Sequence, residues 1–356
     1  MRAAQQIRFA QAVDGVRLAY AISGQGTPCL IKAATWLSHL EHDWESPVWR
    51  HLLRALSERS RFIRYDERGC GLSDWLVPEL TFESWVRDLE TVVEAVGAER
   101  FALLGISQGA AVAIAYAVRH PERVIRLVLH GGYARGRLVR STSPEQRDEA
   151  ETMCHLAEIG WGKDDAAFRQ FFTTQFIPGG TTEQHRWFNE MERLSTSPQN
   201  AAQFMRAFNT IDVTPLLPQV RCPALVSHSR HDMRVPFAEG RLLASAIPGA
   251  AFLPLDSGNH LLLEHEEGWR LWLDAVGEFL GRPAGALVDA FPALSARQRE
   301  LLELIARGFD NAQIAARLTL SEKTVRNQVS AIFDRLAVET RAQAIVRARE
   351  AGFGTG

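Results

Sequence analysis

The chain has 356 residues, more than one compact core commonly holds, so two domains are expected. Hydrophobic residues make up 46% and charged residues 23%, a balance that excludes a disordered chain. Net charge is −2 but uneven: residues 291–356 carry ten basic and seven acidic side chains (+3), leaving 30 and 35 (−5) in residues 1–290.

A small basic module behind an acidic body is the charge arrangement of a nucleic-acid contact. No apolar run reaches the length of a membrane span, and MRAAQQIRFAQAVDG lacks the apolar stretch of a secretory signal. Cys29, Cys70, Cys154 and Cys222 lie far apart with no CxxC spacing. That pattern suits free thiols in a reducing cytoplasm, with no metal site and no cofactor expected.

In chain order, IRFAQAV and VRLAYAI flank Asp14-Gly15, a hairpin signal. RFIRYD (61–66), RFALLGI (100–106), VIRLVLH (124–130), ALVSHS (224–229) and AFLPLD (251–256) follow as further strands. The helical patterns SPVWRHLLRALSER, TFESWVRDLETVVEAVG, GAAVAIAYAVRH and FAEGRLLASAI separate them. Alternation of this kind predicts a doubly wound, mostly parallel α/β sheet. It stops between about 134 and 210, where a helical, aromatic-rich stretch reads as an inserted lid. Trp36 with the lid residues Trp161, Phe172 and Trp187 is expected to line a ligand pocket. Gly and Pro punctuate residues 282–292, a linker that divides a first domain (1–281) from a second (293–356).

Gly105-Ile106-Ser107-Gln108-Gly109 spells G-x-S-x-G between a buried strand and an Ala-rich helix. A serine on so sharp a turn sits in strained backbone, and side chains two residues to either side would collide, hence the glycines. A nucleophilic serine needs a base, and the base an orienting acid. Asp232 and His260 follow in that order, each in a loop after a strand. Asp256 is the rival acid; His231 and His265 read as surface residues.

These segments resemble the α/β-hydrolase fold family over about residues 7–281. DERGCGLS (66–73) is similar to its D-x-R-G-x-G-x-S segment, where Asp66, Arg68, Gly69 and Gly71 would be structural, and SGNH to its histidine loop. The resemblance implies Ser107, Asp232 and His260 as catalytic residues. It also implies an oxyanion hole from the backbone N–H of Gln108 and of Thr35 or Trp36. Ala33-Ala34 stand where that family commonly has His-Gly. One misplaced oxyanion donor costs roughly a hundred- to a thousand-fold in rate, so a complete triad is compatible with slow turnover.

The remaining segment reads as helices only. Leu301, Leu304 and Ile305 form one stripe that stops at Gly308. Asp310 or Asn311 caps the next helix, with Ile314, Ala315 and Leu318 inward. Ser321 caps a third, with Val325, Val329, Ile332 and Leu336 inward. Two short helices around a tight turn form a helix-turn-helix. LSARQRELLELIARG, NAQIAARL, LSEKTVRNQVSAIFDRL and TRAQAIVRA resemble the LuxR-type (GerE-like) domain over residues 293–351. The outward face of the third helix is expected to hold Lys323, Thr324, Arg326, Asn327, Ser330 and Arg335 against double-stranded DNA. Arg326 and Asn327 would lie nearest the bases. The resemblance implies a homodimer through the last helix, about 340–351.

The expected fold is therefore an α/β-hydrolase body with a helical lid, plus a small all-α DNA-binding domain. The expected function is a transcription regulator whose body senses, and slowly hydrolyses, an ester-, amide- or lactone-like ligand. The alternative is an active serine hydrolase with an accessory DNA-binding domain.

Overall fold

A computed structural model describes residues 5–163, 165–281, 291, 294–351 and 353–354. The Asp14-Gly15 signal produces the hairpin of β1 (Gln6–Gln11) and β2 (Arg17–Ser23), which pair antiparallel. Gly15 takes φ 88°, and Ala12 N–H donates to Val16 O at 2.8 Å, so pairing stops short of the turn. The other strands are β3 (Cys29–Lys32), β4 (Arg61–Tyr65), β5 (Phe101–Ile106), β6 (Val124–His130), β7 (Ala224–Ser229) and β8 (Ala251–Leu255). The sheet order is β1-β2-β4-β3-β5-β6-β7-β8; β2 meets β4 antiparallel, and the pairs from β4 to β8 are parallel. β5 and β7 are buried at every position, as strands covered on both faces must be.

The covering helices of the body are α1 (Leu40–Glu45), α2 (Arg50–Arg59), α3 (Phe82–Val96) and α4 (Gln108–Arg119). The lid then supplies α5 (Arg137–Arg140), α6 (Pro144–Gly160), α7 (Ala166–Phe176), α8 (Thr182–Ser195) and α9 (Pro198–Asn209). α10 (Phe237–Ala246) and α11 (Glu267–Gly281) complete the body. Ser46 to Trp49, expected as helix, precedes α2 as a turn, because Ser46 Oγ accepts from Val48 N–H at 3.1 Å.

The lid grows from a pinned stem. Glu239 of α10, 1% exposed, accepts from the backbone N–H of Ala134 (3.2 Å) and Arg135 (3.1 Å) and pairs with the Arg135 guanidinium at 2.7 Å. Gly136 N–H reaches Ile211 O at 2.7 Å on the returning chain. At its other end the lid is tied down by Phe176 O, which accepts from His260 N–H at 2.8 Å.

The D-x-R-G-x-G-x-S segment is structural, and the geometry gives the reason. Arg68 is buried and holds Asp88 with two bonds (2.8 and 2.7 Å) and Asp14 with a third (2.6 Å). This ties β4 to α3 and to the hairpin turn. Removing one partner of so buried a pair typically costs about 3–5 kcal/mol. Asp66 Oδ2 accepts from Leu40 N–H and Leu72 N–H at 3.1 and 2.9 Å. A Cβ on Gly71 would stand 2.2 Å from that oxygen.

The carboxyl-terminal helices are α12 (Ala296–Ala306), α13 (Asn311–Leu318), α14 (Glu322–Leu336) and α15 (Arg341–Glu350). They build a core of their own in which Leu301, Ile305, Ile314, Val325, Ile332 and Leu336 are fully buried. Asp310 and Ser321 provide the caps of α13 and α14. Apart from Phe291, the linker expected over 282–292 lies outside the described residues.

Ser107 sits between β5 and α4 at φ 54°, ψ −126°, a conformation that costs a non-glycine residue about 1–3 kcal/mol. Its neighbours leave no room for side chains. A Cβ at Gly105 would lie 2.6 Å from Ala110 Cα, and one at Gly109 2.6 Å from Ala34 O. All of these contacts are backbone, which cannot swing aside. Gly105→Ala should therefore cost about 2–4 kcal/mol of stability. The drop is read in the urea midpoint of the full-length protein; an unchanged midpoint would show that the turn has slack.

Candidate active site and DNA-reading helix

Asp232 is fixed before it meets any histidine. Its Oδ1 accepts from the backbone N–H of Arg234 (2.8 Å) and Val235 (2.9 Å), an Asx turn closing the loop after β7. Its Oδ2 lies 2.7 Å from His260 Nδ1 and 3.5 Å from His228 Nε2, and all three side chains are fully buried. Burial pushes the carboxyl up, but the two imidazoles and the Val235 N–H outweigh it, so the acid stays below its ordinary range. Asp256 is exposed, and its ion-pair partner is His231, at 3.9 Å. The geometry thus brings Asp232, not Asp256, to His260.

The other ring nitrogen, His260 Nε2, is buried and has no hydrogen-bond partner among the described residues. It faces a small void shared with Ser107, Thr35 and Trp36. Thr35 Oγ1 donates to Ile106 O at 2.8 Å, which fastens the Thr35-Trp36 segment to the serine turn. Ser107, at the start of α4, has the Gln108 backbone N–H beside it, where the helix dipole favours negative charge. A hydroxyl, an imidazole oriented through a carboxylate, and amide groups at a helix start are the parts of acyl transfer.

Ser107 also opens onto a cavity of about 520 Å³ walled by Trp36, Phe171, Phe176 and Phe208. Of the aromatics expected to line it, Trp36 does. Trp161 stacks behind Trp36 at 5.0 Å, and Phe172 packs edge-on against Trp161 at 5.5 Å, both as lid core. Trp187 stacks on His42 at 4.7 Å and borders a different cavity with Arg169 and His185. Its place in the serine pocket is corrected: α8 turns that face toward α1.

Several neighbours carried no sequence signal. His130 is buried beside His260, bonded to Ser227 Oγ at 3.0 Å; burial, then the His260 charge, pushes it down to about 3. Asn259 Oδ1 accepts from Gly179 N–H at 2.8 Å, tying the histidine loop to the lid. Glu67 Oε1 accepts from the Gln108 side chain at 2.9 Å, directly behind the serine. Periodicity cannot report such pairings, because each joins segments at least 41 residues apart.

On the second domain, Lys323, Thr324, Arg326, Asn327 and Ser330 are exposed along one side of α14. Ser321 caps the helix through Thr324 N–H at 3.1 Å. Arg335 departs from the expectation: it is half-buried, and its guanidinium donates to Gln298 Oε1 of α12. Gln298 also bonds Gln328 at 3.3 Å, and residues 328 and 335 stand two helical turns apart on one face. Arg335 therefore belongs to the flank against α12.

Comparison with known proteins adds two family matches. Residues 41–266 match the model described as alpha/beta hydrolase fold, and residues 292–348 that of bacterial regulatory proteins, luxR family. A putative carbamate hydrolase, RutD, of Azorhizobium caulinodans is 26% identical over 68% of this chain and 88% of its own length. The pyrrolizixenacetamide deacetylase of Xenorhabdus hominickii is 27% identical over 73% of this chain and 94% of its own. The crystal structure of an enol-lactonase from Burkholderia xenovorans LB400 superposes with a TM-score of 0.62 at 24% identity, over 77% of this chain and all of that one. Among the described residues, no helix is long and apolar enough to cross a membrane.

Burial raises the Glu67 carboxyl from 4.5 to about 8. The folded state then holds a proton that the unfolded state lacks between pH 4.5 and about 8, so stability falls as pH rises through that window. Glu67→Gln, neutral throughout, should match wild type near pH 5 and exceed it near pH 8 in urea midpoint. Equal midpoints at both would show that Glu67 ionises as freely folded as unfolded.

Proposed function

The chain belongs to the α/β-hydrolase fold family and carries a luxR-family regulatory domain behind that body, and on this premise we propose a DNA-binding regulator controlled by a small acyl ligand. The ligand, an ester, amide or lactone, is taken at Ser107 and slowly hydrolysed. One observation carries the reading: the loop that holds Asp232 also touches the DNA-reading helix. Arg230, two residues before Asp232, pairs with Asp334 of α14 at 3.7 Å. Beside it Arg241 reaches Glu339 at 3.5 Å, Arg347 of α15 donates to the Ala250 carbonyl at 3.3 Å, and Ala337 packs into the core of the body.

These contacts suit a switch because they are weak. Exposed ion pairs are worth about 0–1 kcal/mol each, so a ligand needs only a few kcal/mol of differential binding to shift the balance. The ligand acts only through that difference between the two states.

The chemistry follows from the geometry. Ser107 Oγ attacks the acyl carbon while its proton passes to His260 Nε2, and Asp232 holds the imidazole through Nδ1. The tetrahedral oxyanion is met by the Gln108 N–H and by the Thr35 or Trp36 N–H. Collapse breaks the bond to the alcohol or amine, which takes the proton from His260. Water then adds to the acyl carbon by the same route, giving its proton to His260. Expulsion of Ser107, which recovers that proton, releases the acid. On DNA, Arg326 and Asn327 read bases while Lys323, Thr324 and Ser330 hold phosphates. Pairing of two chains uses α15, where Val346 is exposed.

The second reading, a serine hydrolase with an accessory DNA-binding domain, is favoured by the 2.7 Å Asp232–His260 bond and by the catalytic descriptions of the relatives. Ser107→Ala separates the two. On the regulatory reading it abolishes 4-nitrophenyl ester turnover and prolongs the ligand's effect on DNA binding. Unchanged turnover together with an unchanged response would sink the proposal; lost turnover with no ligand effect on DNA would favour the second reading. Arg326→Ala should weaken binding to fragments upstream of the protein's own gene by about 1–3 kcal/mol. Fluorescence anisotropy measures this, and undiminished affinity removes Arg326 from the reading face.

A further inference from the structure

The cavity above Ser107 is apolar in its walls but not in its charge. Arg137, Arg140 and Arg234 line it against one carboxylate, Glu149. Glu149 is already committed to Arg137 at 3.0 Å. Among the described residues, neither Arg140 nor Arg234 has a carboxylate within ion-pair distance, although both are half-buried. Each is held by neutral groups instead. The Arg140 guanidinium lies 5.8 Å from the Tyr133 ring centroid and donates to Arg135 O at 2.8 Å. The Arg234 guanidinium lies 5.2 Å from the Phe176 ring centroid and donates to Gln175 Oε1 at 3.3 Å. Phe176 in turn packs edge-on to His260 at 5.7 Å, which stations Arg234 beside the acyl-transfer centre.

Half-buried guanidinium groups that face one another without a directly paired carboxylate are costly. Burial lowers Arg234 to about 10; the Arg137 and Arg140 charges push the same way, while Tyr133 and the Asp232 carboxylate push back. Stacking on aromatic rings preorganises a planar fork whose remaining N–H groups match a carboxylate. Such a cluster is stabilised when an anion enters, and the cavity is the entry.

We propose that the ligand taken at Ser107 is anionic: an ester, amide or lactone bearing a free carboxylate, which Arg234 and Arg140 hold while the acyl carbon faces the serine. The inference deepens the reading of Ser107 as an acyl site and rests on it. It narrows the substrate class to half-esters and half-amides of dicarboxylic acids and to lactones that keep a second, free carboxylate. It also makes Arg234 a specificity determinant two residues from Asp232, on the loop that continues to Arg230.

The test uses full-length Ser107→Ala protein, so that binding is read without turnover. Mono-4-nitrophenyl glutarate and its methyl diester are titrated by calorimetry. The free acid should bind about tenfold tighter or more, as a charge-assisted bidentate pair implies. Adding Arg234→Gln or Arg140→Gln should bring the acid-to-diester ratio down to about one, whereas Arg234→Lys, which keeps the charge, should retain part of the preference. Equal affinities, a preference for the diester, no binding of either compound, or a preference that survives both glutamine variants would each overturn the proposal. Hydrolysis of the neutral diester by wild type, abolished by Ser107→Ala, is the separate control. If it occurs while the acid gains nothing, the acyl site stands and only its charge preference falls. If it too is absent, the acyl reading falls with it.

Discussion

The Asp232 carboxylate is the constraint on which the functional geometry depends. Its two oxygens do different work. Oδ1 closes the loop on the N–H groups of Arg234 and Val235, and Oδ2 receives the His260 ring at 2.7 Å. Because one side chain sets both the loop and the imidazole, three placements follow from it. His260 is brought to the small void it shares with Ser107, Arg234 is carried over Phe176 into the cavity, and Arg230 is left against Asp334. A carboxylate with four partners in a buried site behaves as a rigid node. Arg230 and Arg234 are four residues apart, so a shift of the loop is felt at both ends.

Around that node the molecule divides into stiff and soft parts. The serine turn is stiff: Ser107 sits at positive φ between two glycines at which an added Cβ would strike backbone, and the hairpin is bolted to α3 by the buried Arg68 pairs. The lid is tied to the body at its stem through Glu239, at its seam with the histidine loop through Phe176 and Asn259, and at the loop after β4 through Ser195, Thr196 and Asn200. The DNA-reading domain has its own core and meets the body through partly exposed ion pairs, a few backbone carbonyls and Ala337, which packs into the core of the body. Strain is affordable where packing over-determines it, and mobility is available where contacts are few.

That division also explains what the sequence disclosed. G-x-S-x-G, the strand-loop positions of Asp232 and His260, and the stripes of the four terminal helices are local patterns. Their meaning depends on neighbours within a turn or two, and all reappear in the structure. Trp187 and Arg335 were misplaced for the opposite reason. An aromatic in a helical lid has several faces to choose from, and α8 gave Trp187 to His42. Arg335 has the charge of a phosphate ligand, but its register two turns from Gln328 delivers it to Gln298. The arginine cavity was invisible because Arg137, Arg140 and Arg234 come from segments almost a hundred residues apart, joined only when the lid closes over β7.

Slow chemistry fits a regulator better than fast chemistry. A hydrolase that turned over rapidly would empty its own pocket and spend little time in the bound state, so its DNA-reading domain would receive little of the signal. On the proposed reading, Ala33-Ala34 in place of His-Gly would alter the segment that offers the second oxyanion donor. It leaves the Asp232–His260 bond and the cavity intact. On that reading, the ligand dwells while the chain reports it, and its eventual cleavage ends the report without a separate enzyme. On the same reading, the residues of an esterase, joined by one loop to a DNA-reading helix, would act as a timer.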